Sequence, residues 1–257
     1  MSYTIKNYDG HQHHYLSSRR VCVGTVLMSG TIAPGEMSAS ARTQRCRLVE
    51  EVSGVPRITQ EQKKLNREKI VRAAGEGFRL HGVDGIGIEE LMKTAGMTHG
   101  GFYNHFSSKE DLALEVYRQG FADSLNALAA IREAHPRSAR AALRDMVDVY
   151  LTAVHRDHPE TGCASAALAV DAGRHGATSQ AEYRRGLEGY FSAITEMVLD
   201  RARESGTDMT AAEAREQAVA LFCQMVGALV VSRAVAEADP GLSDEVLAAN
   251  RKQLRQR

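Results

Sequence analysis

The stretch Ile88–Asp111, IEELMKTAGMTHGGFYNHFSSKED, decides how this chain is read. Ile88, Leu91, Met92 and Ala95 recur at i, i+3, i+4 and i+7, so four apolar side chains share one face of a helix. Gly96 follows where a helix ends in a left-handed residue, a conformation glycine adopts without penalty. Thr98 is a suitable N-cap for the next helix, and Met97 with Phe102 matches a hydrophobic staple across that boundary. Two helices joined by a turn of about three residues make a helix-turn-helix.

In the second helix Phe102 and Phe106 stand at i and i+4 and point inward. Gly100, Gly101, Tyr103 and Asn104 point outward, with His99 at the amino end. Two adjacent glycines cost a helix about 1 kcal/mol each relative to alanine. Stability alone would not select them; a surface that must approach a phosphate-lined groove closely would. The amino end of such a helix offers free N–H groups and a dipole that favours anions. Tyr103 brings a hydroxyl for a phosphate oxygen, Ser107 or Ser108 caps the following helix, and Lys109 adds a cation beside further N–H groups. Three short helices in an ordinary bundle could show the same apolar spacing, but not the capped turn, bare glycines and Tyr-Asn-His run together.

These residues resemble the TetR/AcrR family of transcriptional regulators, whose motif runs A-G-(V/M)-(S/T)-x-G-x-(L/F)-Y-x-(H/Y)-F-x-S-K-E. The chain supplies Ala95, Gly96, Met97, Thr98, Gly100, Phe102, Tyr103, His105, Phe106, Ser108, Lys109 and Glu110. The resemblance is specific across roughly 64–124 and architectural beyond. It implies a three-helix DNA-binding domain, a helical ligand-binding and dimerisation domain, and repression relieved by a small-molecule effector. By position it implies a DNA surface of Thr98, His99, Gly100, Gly101, Tyr103, Asn104 and His105. His99 and Asn104 could read base edges, while Thr98, Tyr103 and Lys109 hold phosphates. His105 could instead pack inward, and Arg67 is either a further phosphate contact or a solvated charge. Similar proteins carry Thr or Ser just before the first motif helix; Ile86-Gly87 stands there in this chain, a weaker cap.

Working outward, Thr59 and Gln62 form a capping box for a first helix that stops near Gly82. Ile70, Ala73, Ala74, Phe78 and His81 line it, and Lys63, Lys64, Arg67, Lys69 and Arg72 stand on its outer face. After residue 110 the spacing predicts helices near 110–133, 138–156, 163–174, 178–205, 210–237 and 242–255. The breaks come from Pro136, Pro159, Gly176, Gly206 and Asp239-Pro240-Gly241. With no βαβ alternation and no internal repeat, the fold class is all-α. The domain reading is a disordered extension over 1–56, a DNA-binding domain over 57–110 and a helical effector-binding and dimerisation domain over 111–257. His11, His13 and His14 read as a solvated tail rather than a metal site, and V-P-R-I-T from Val55 looks like a natural amino terminus.

The 257 residues carry 32 basic and 32 acidic side chains, so no global field advertises a nucleic-acid partner. Cys22, Cys46, Cys163 and Cys223 form no C-x-x-C pair, which fits a reducing cytosol better than a disulfide framework or zinc ribbon. No apolar run approaches the roughly 20 residues that span a bilayer, and no membrane partner is expected. No P-loop, G-x-G-x-x-G, G-x-S-x-G or H-E-x-x-H pattern appears, so neither an enzyme nor a cofactor or metal is expected.

The helices near 178–205 and 210–237 are the candidates for homodimerisation. Ala218, Leu221, Phe222, Met225, Val226, Leu229 and Val230 form a stripe wider than one core contact needs. Tyr150, His155, Cys163, Tyr190, Met197 and Met225 are candidate pocket residues on otherwise apolar stretches. The partners expected are a double-stranded DNA operator, a small-molecule effector and a second copy of the chain. Two alternatives stay open: a thiol-based oxidant or electrophile sensor using Cys163, and a ligand-binding module without DNA binding.

Overall fold

Thr59 opens α1 (Gln60–His81) by accepting a hydrogen bond from the Gln62 amide at 3.1 Å. The capping box is only half formed, because the Gln62 side chain reaches forward to Asn66 Oδ1 at 2.9 Å. The computed structural model describes residues 59–256. The expectations for residues 1–56, including the histidine cluster and the start at Val55, lie outside them. Gly82, at φ 75°, ends α1 and donates its amide to the Phe78 carbonyl at 2.9 Å.

Beyond α1 come α2 (Ile88–Thr94), a 3-10 helix (His99–Asn104), α3 (Lys109–Ala134), α4 (Ala139–Tyr150) and α5 (Ala153–Asp157). A 3-10 turn (Pro159–Thr161) leads to α6 (Ala164–Arg174), α7 (Gly176–Glu204), α8 (Ala211–Val235) and α9 (Pro240–Arg255). No strand occurs among the described residues, and the all-α expectation holds. The single helix predicted over 138–156 is corrected to two. Leu151 leaves helical backbone at φ −91°, ψ 68°, and Thr152 caps α5 by accepting from the His155 amide at 3.1 Å. A threonine that can bond the backbone three residues on competes with helix continuation.

Two hydrophobic cores share this framework. Ile70, Phe78, Leu91, Met92, Phe102, Phe106, Leu112 and Tyr117 fill the first, joined by Leu168 and Ala172 from α6. Leu128, Leu143, Met146, Ile194, Met197, Phe222, Met225 and Leu229 fill the second. α3 belongs to both, its first two turns in one core and Leu128 in the other. α8 is 25 residues long and reaches a mean hydropathy of 1.9 over an 18-residue window, long and apolar enough to cross a membrane. The expectation that no segment reaches that length therefore fails for α8. Its Ala218, Leu221, Phe222, Met225 and Leu229 are buried in the second core.

α3 and α7 pack so closely that a methyl group built on Gly186 would overlap the Phe121 ring. Helix propensity favours Gly186→Ala by about 1 kcal/mol, yet overpacking a core contact costs about 1–3 kcal/mol. The variant is expected to unfold at lower urea concentration than the parent; an unchanged or higher midpoint would contradict the packing described.

Candidate nucleic-acid interface

The second helix of the motif owes its exposure to what lies beneath it. Phe102 and Phe106 are buried, their rings 5.7 Å apart and near parallel. That leaves His99, Gly100, Tyr103 and Asn104 exposed, with Tyr103 61% accessible. A phenol this exposed in a compact domain has no packing role beyond its edge contacts with Phe102 at 5.2 Å and His99 at 6.1 Å. The element is a 3-10 helix, in which the Gly101 amide donates to the Thr98 carbonyl at 2.9 Å. Thr98 has the extended backbone of an N-cap, but its side chain accepts no cap hydrogen bond, so that expectation is corrected. A 3-10 helix is used in short pieces, and this one spans six residues.

The glycines are bare toward the protein as well. Nothing lies within 4 Å of a Cβ added to Gly100, and one added to Gly101 would make ordinary contact with Thr98 and Met92. Packing within the domain therefore does not require glycine at Gly100. Gly96, at φ 73°, is different: its left-handed backbone turns the chain between the two helices.

Arg67 is neither free nor simply solvated. Its guanidinium lies 4.5 Å above the Phe106 ring centroid and 3.2 Å from Glu115. His105 is half-buried, with Nδ1 enclosed and without a partner. Lys109 opens α3 with its ammonium 6.0 Å from the Phe78 ring centroid. Two N–H groups near it are occupied: Ser108 Oγ accepts from the Asp111 amide at 3.1 Å, and Asp111 accepts from the Ser107 amide at 3.1 Å. Gly87 caps α2 without a side-chain hydrogen bond, and a Cβ there would meet open space.

Four of the six pocket residues converge elsewhere. Tyr150, His155, Cys163 and Tyr190 line a cavity of about 430 Å³ bounded by α3, α4, α5 and the start of α6. Met197 and Met225 are instead fully buried in the second core, and neither lines that cavity. His155 pairs through Nδ1 with the Tyr150 carbonyl at 2.8 Å and accepts at Nε2 from the Cys163 amide at 3.0 Å. Burial, then the Arg233 guanidinium, hold its pKa below the ordinary histidine value against the opposing Tyr150 carbonyl. The Tyr150 hydroxyl is buried with the Cys163 thiol as its polar neighbour, and burial followed by Cys163 pushes its pKa well up.

Sequence periodicity missed how the helix-turn-helix core is tied to the rest. Asp171 of α6 accepts from the Val83 amide at 3.0 Å, and His175 meets Asp84 at 3.1 Å. A chain of charges also runs from Arg67 through Glu115 and Arg118 to Glu182 and Arg185, joining α1, α3 and α7. Each member lies far in sequence from the partner it meets across helices, so no local pattern announces it. The unusual sign was Glu182, a carboxylate buried on a helix.

Three comparisons bear on this geometry. Residues 70–116 match the family model described as bacterial regulatory proteins, tetR family. The chain is 31% identical over 68 residues to the HTH-type transcriptional repressor AcnR of Corynebacterium diphtheriae, covering 26% of this chain and 36% of that protein. It is 39% identical over 70 residues to the HTH-type transcriptional regulator LmrA of Bacillus subtilis, covering 24% of this chain and 37% of that protein. The chain thus spans little more than a third of the curated relatives it matches. A TetR transcriptional regulator from Chloroflexus aurantiacus superposes with a TM-score of 0.65 at 21% identity, over 77% of this chain and 96% of that one, which shows a common fold. Both relatives carry the name of a transcriptional regulator.

Two tests follow from the site. Gly87→Ser supplies the missing cap at φ −81°, ψ 155°, where any residue fits, and is expected to raise stability by about 1 kcal/mol; a lower melting temperature would contradict that cap geometry. Burial first, then Lys63 and Arg67, lower the His105 pKa. A histidine that binds its proton more weakly when folded loses stability as pH falls below its unfolded value of about 6.5. His105→Gln is expected to flatten the stability profile between about pH 7 and pH 5, and an unchanged slope would contradict it.

Proposed function

We propose, from the premise that this chain belongs to the TetR/AcrR family through the domain at residues 70–116, that it is a DNA-binding transcriptional regulator acting as a homodimer. The observation that carries this reading is the outer face of the 3-10 helix: Phe102 and Phe106 buried, with His99, Gly100, Tyr103 and Asn104 turned to solvent. A side-chain-poor strip beside an exposed phenol suits close approach to a duplex groove. Tyr103, Thr98 and Lys109 are the phosphate ligands in this reading, and His99 and Asn104 reach base edges. Arg67 and His105 act behind that face: one braces Phe106, and the other is half-buried with its Nδ1 enclosed.

Dimerisation is assigned to α8. Ala220, Cys223, Gly227, Val230, Val231 and Ala234 are exposed along it at helical spacing without a charge among them. The exposed side of α7 is polar, with Glu188 bound to Arg215 of α8. Isologous pairing through such a stripe buries apolar surface that a monomer leaves wet. Two copies would present their 3-10 helices to half-sites about 34 Å apart.

The regulatory reading is repression relieved by an effector in the 430 Å³ cavity. The name of one relative, a repressor, supports it. α6 begins at that cavity beside Cys163 and carries Leu168 and Ala172 into the DNA-binding core. A ligand that favours one placement of α6 thereby favours one spacing of the two recognition faces.

Mobility shift with DNA from upstream of the chain's own gene is the test. Retardation is expected at low salt and is expected to weaken steeply as salt rises; no retardation at any salt would reject the reading. Gly100→Ala is expected to leave the melting temperature equal or higher, since its Cβ meets open space, while weakening operator binding at least tenfold. Gly227→Arg is expected to give a monomer by light scattering, and a dimer would overturn the assignment to α8.

A further inference from the structure

The cavity beside Tyr150 contains one permanent cation. Arg79 is the one Arg or Lys in the cavity's lining, and it also lines a second cavity of about 750 Å³ running along α1 and α3. Its guanidinium occupies the crossing of those helices: Nη1 would lie 3.1 Å from a Cβ on Gly75, and Nη2 3.3 Å from one on Gly120. Nε is buried and has no hydrogen-bond partner, and the side chain makes no ion pair among the described residues. Arg233, the other arginine nearby, differs in this respect: it donates to the carbonyls of His155 at 2.6 Å and Arg156 at 3.1 Å.

A buried donor without an acceptor is expensive, and burial lowers the Arg79 pKa, with Asp123 the largest opposing influence. Asp123 does not answer the need, because it is exposed and already accepts from Gln119 at 2.8 Å. His155 has both ring nitrogens occupied. The buried donors of the cavity left without an oxygen or nitrogen acceptor are therefore Arg79 Nε and the Tyr150 hydroxyl, the latter beside the Cys163 thiol. Leu128, Ile131, Met146 and Tyr190 line the rest. A volume of about 430 Å³ falls within the ordinary range for small-molecule sites.

We propose that the effector is an amphipathic monocarboxylate, its carboxylate held by Arg79 with the Tyr150 hydroxyl and its apolar body against Leu128, Ile131 and Met146. This rests on the regulatory reading above and gives it a chemical class. Arg79 belongs to α1, directly after the fully buried Phe78 of the DNA-binding core. A carboxylate on that guanidinium pulls on the DNA-binding domain itself, without an intermediate helix. Arginine presents a planar fork to a carboxylate, a geometry that neither an alcohol nor an amine reproduces.

Calorimetry on the full chain with decanoate, decan-1-ol and decylamine tests the class, with 3-phenylpropanoate as a second carboxylate. Decanoate or 3-phenylpropanoate is expected to bind at least tenfold more tightly than decan-1-ol, with decylamine weakest. Arg79→Met is expected to bring the carboxylates to the level of the alcohol, with decan-1-ol affinity held within twofold; Arg79→Lys is expected to keep a carboxylate preference. Equal affinities for acid, alcohol and amine, a preference for the amine, or no binding by either acid would overturn the proposal. The wild-type series decides this even if Arg79→Met unfolds. Retardation of operator DNA by ligand-free protein is read separately. Retardation without carboxylate binding sinks this inference alone, and carboxylate binding without retardation sinks the regulatory reading.

Discussion

Burial of Phe102 and Phe106 is the constraint on which the rest of this molecule depends. Both rings enter a core built with Phe78, Leu91 and Met92, and neither keeps meaningful contact with water. Burying each such ring is worth about 1.5–3 kcal/mol, more than the glycines between Thr98 and Phe102 cost. The short segment is thus held in place from below rather than by its own helical propensity. That is why it can afford a face with almost no side chains. Arg67, stacked on Phe106 and paired with Glu115, secures the same ring from the other side.

The first core does not stop at the helix-turn-helix motif. α3 carries Leu112, Val116 and Tyr117 into it and Leu128 into the second core, while α6 contributes Leu168 and Ala172. The Asp171–Val83 and His175–Asp84 contacts and the charge chain from Arg67 to Glu182 lie along the same seam. Surface ion pairs contribute little individually. Glu182 is the exception in kind, because it is buried and held by both Arg118 and Arg185. These contacts join α1, α3, α6 and α7 along one seam.

Much of this was legible in the residues. The spacing of Ile88, Leu91 and Met92, the glycine at Gly96 and the pair Phe102 and Phe106 fixed the motif, since each acts through neighbours a few positions away. The helices beyond residue 110 were also legible, apart from the break at Leu151, where a buried leucine and a capping threonine override an apolar run. What could not be read was long-range. Nothing local says that Arg67 meets Glu115 or that Met197 and Met225 face the second core instead of the cavity. Thr98 misled for a different reason: its backbone is that of a cap, but a 3-10 turn brings the Gly101 amide to its carbonyl, and its hydroxyl receives no cap bond. Nothing in the local sequence marks Arg79, and only the crossing of α1 and α3 reveals that its Nε is enclosed without a partner.

Amide hydrogen exchange on the full chain, with and without its operator duplex, addresses the recognition face most directly. Slowed exchange is expected to centre on the segment from Met97 to Asn104 and the first turn of α3, with little change across the exposed side of α7. Unchanged exchange in that segment on saturation with duplex, or protection confined to another surface, would contradict the assignment of this face to DNA.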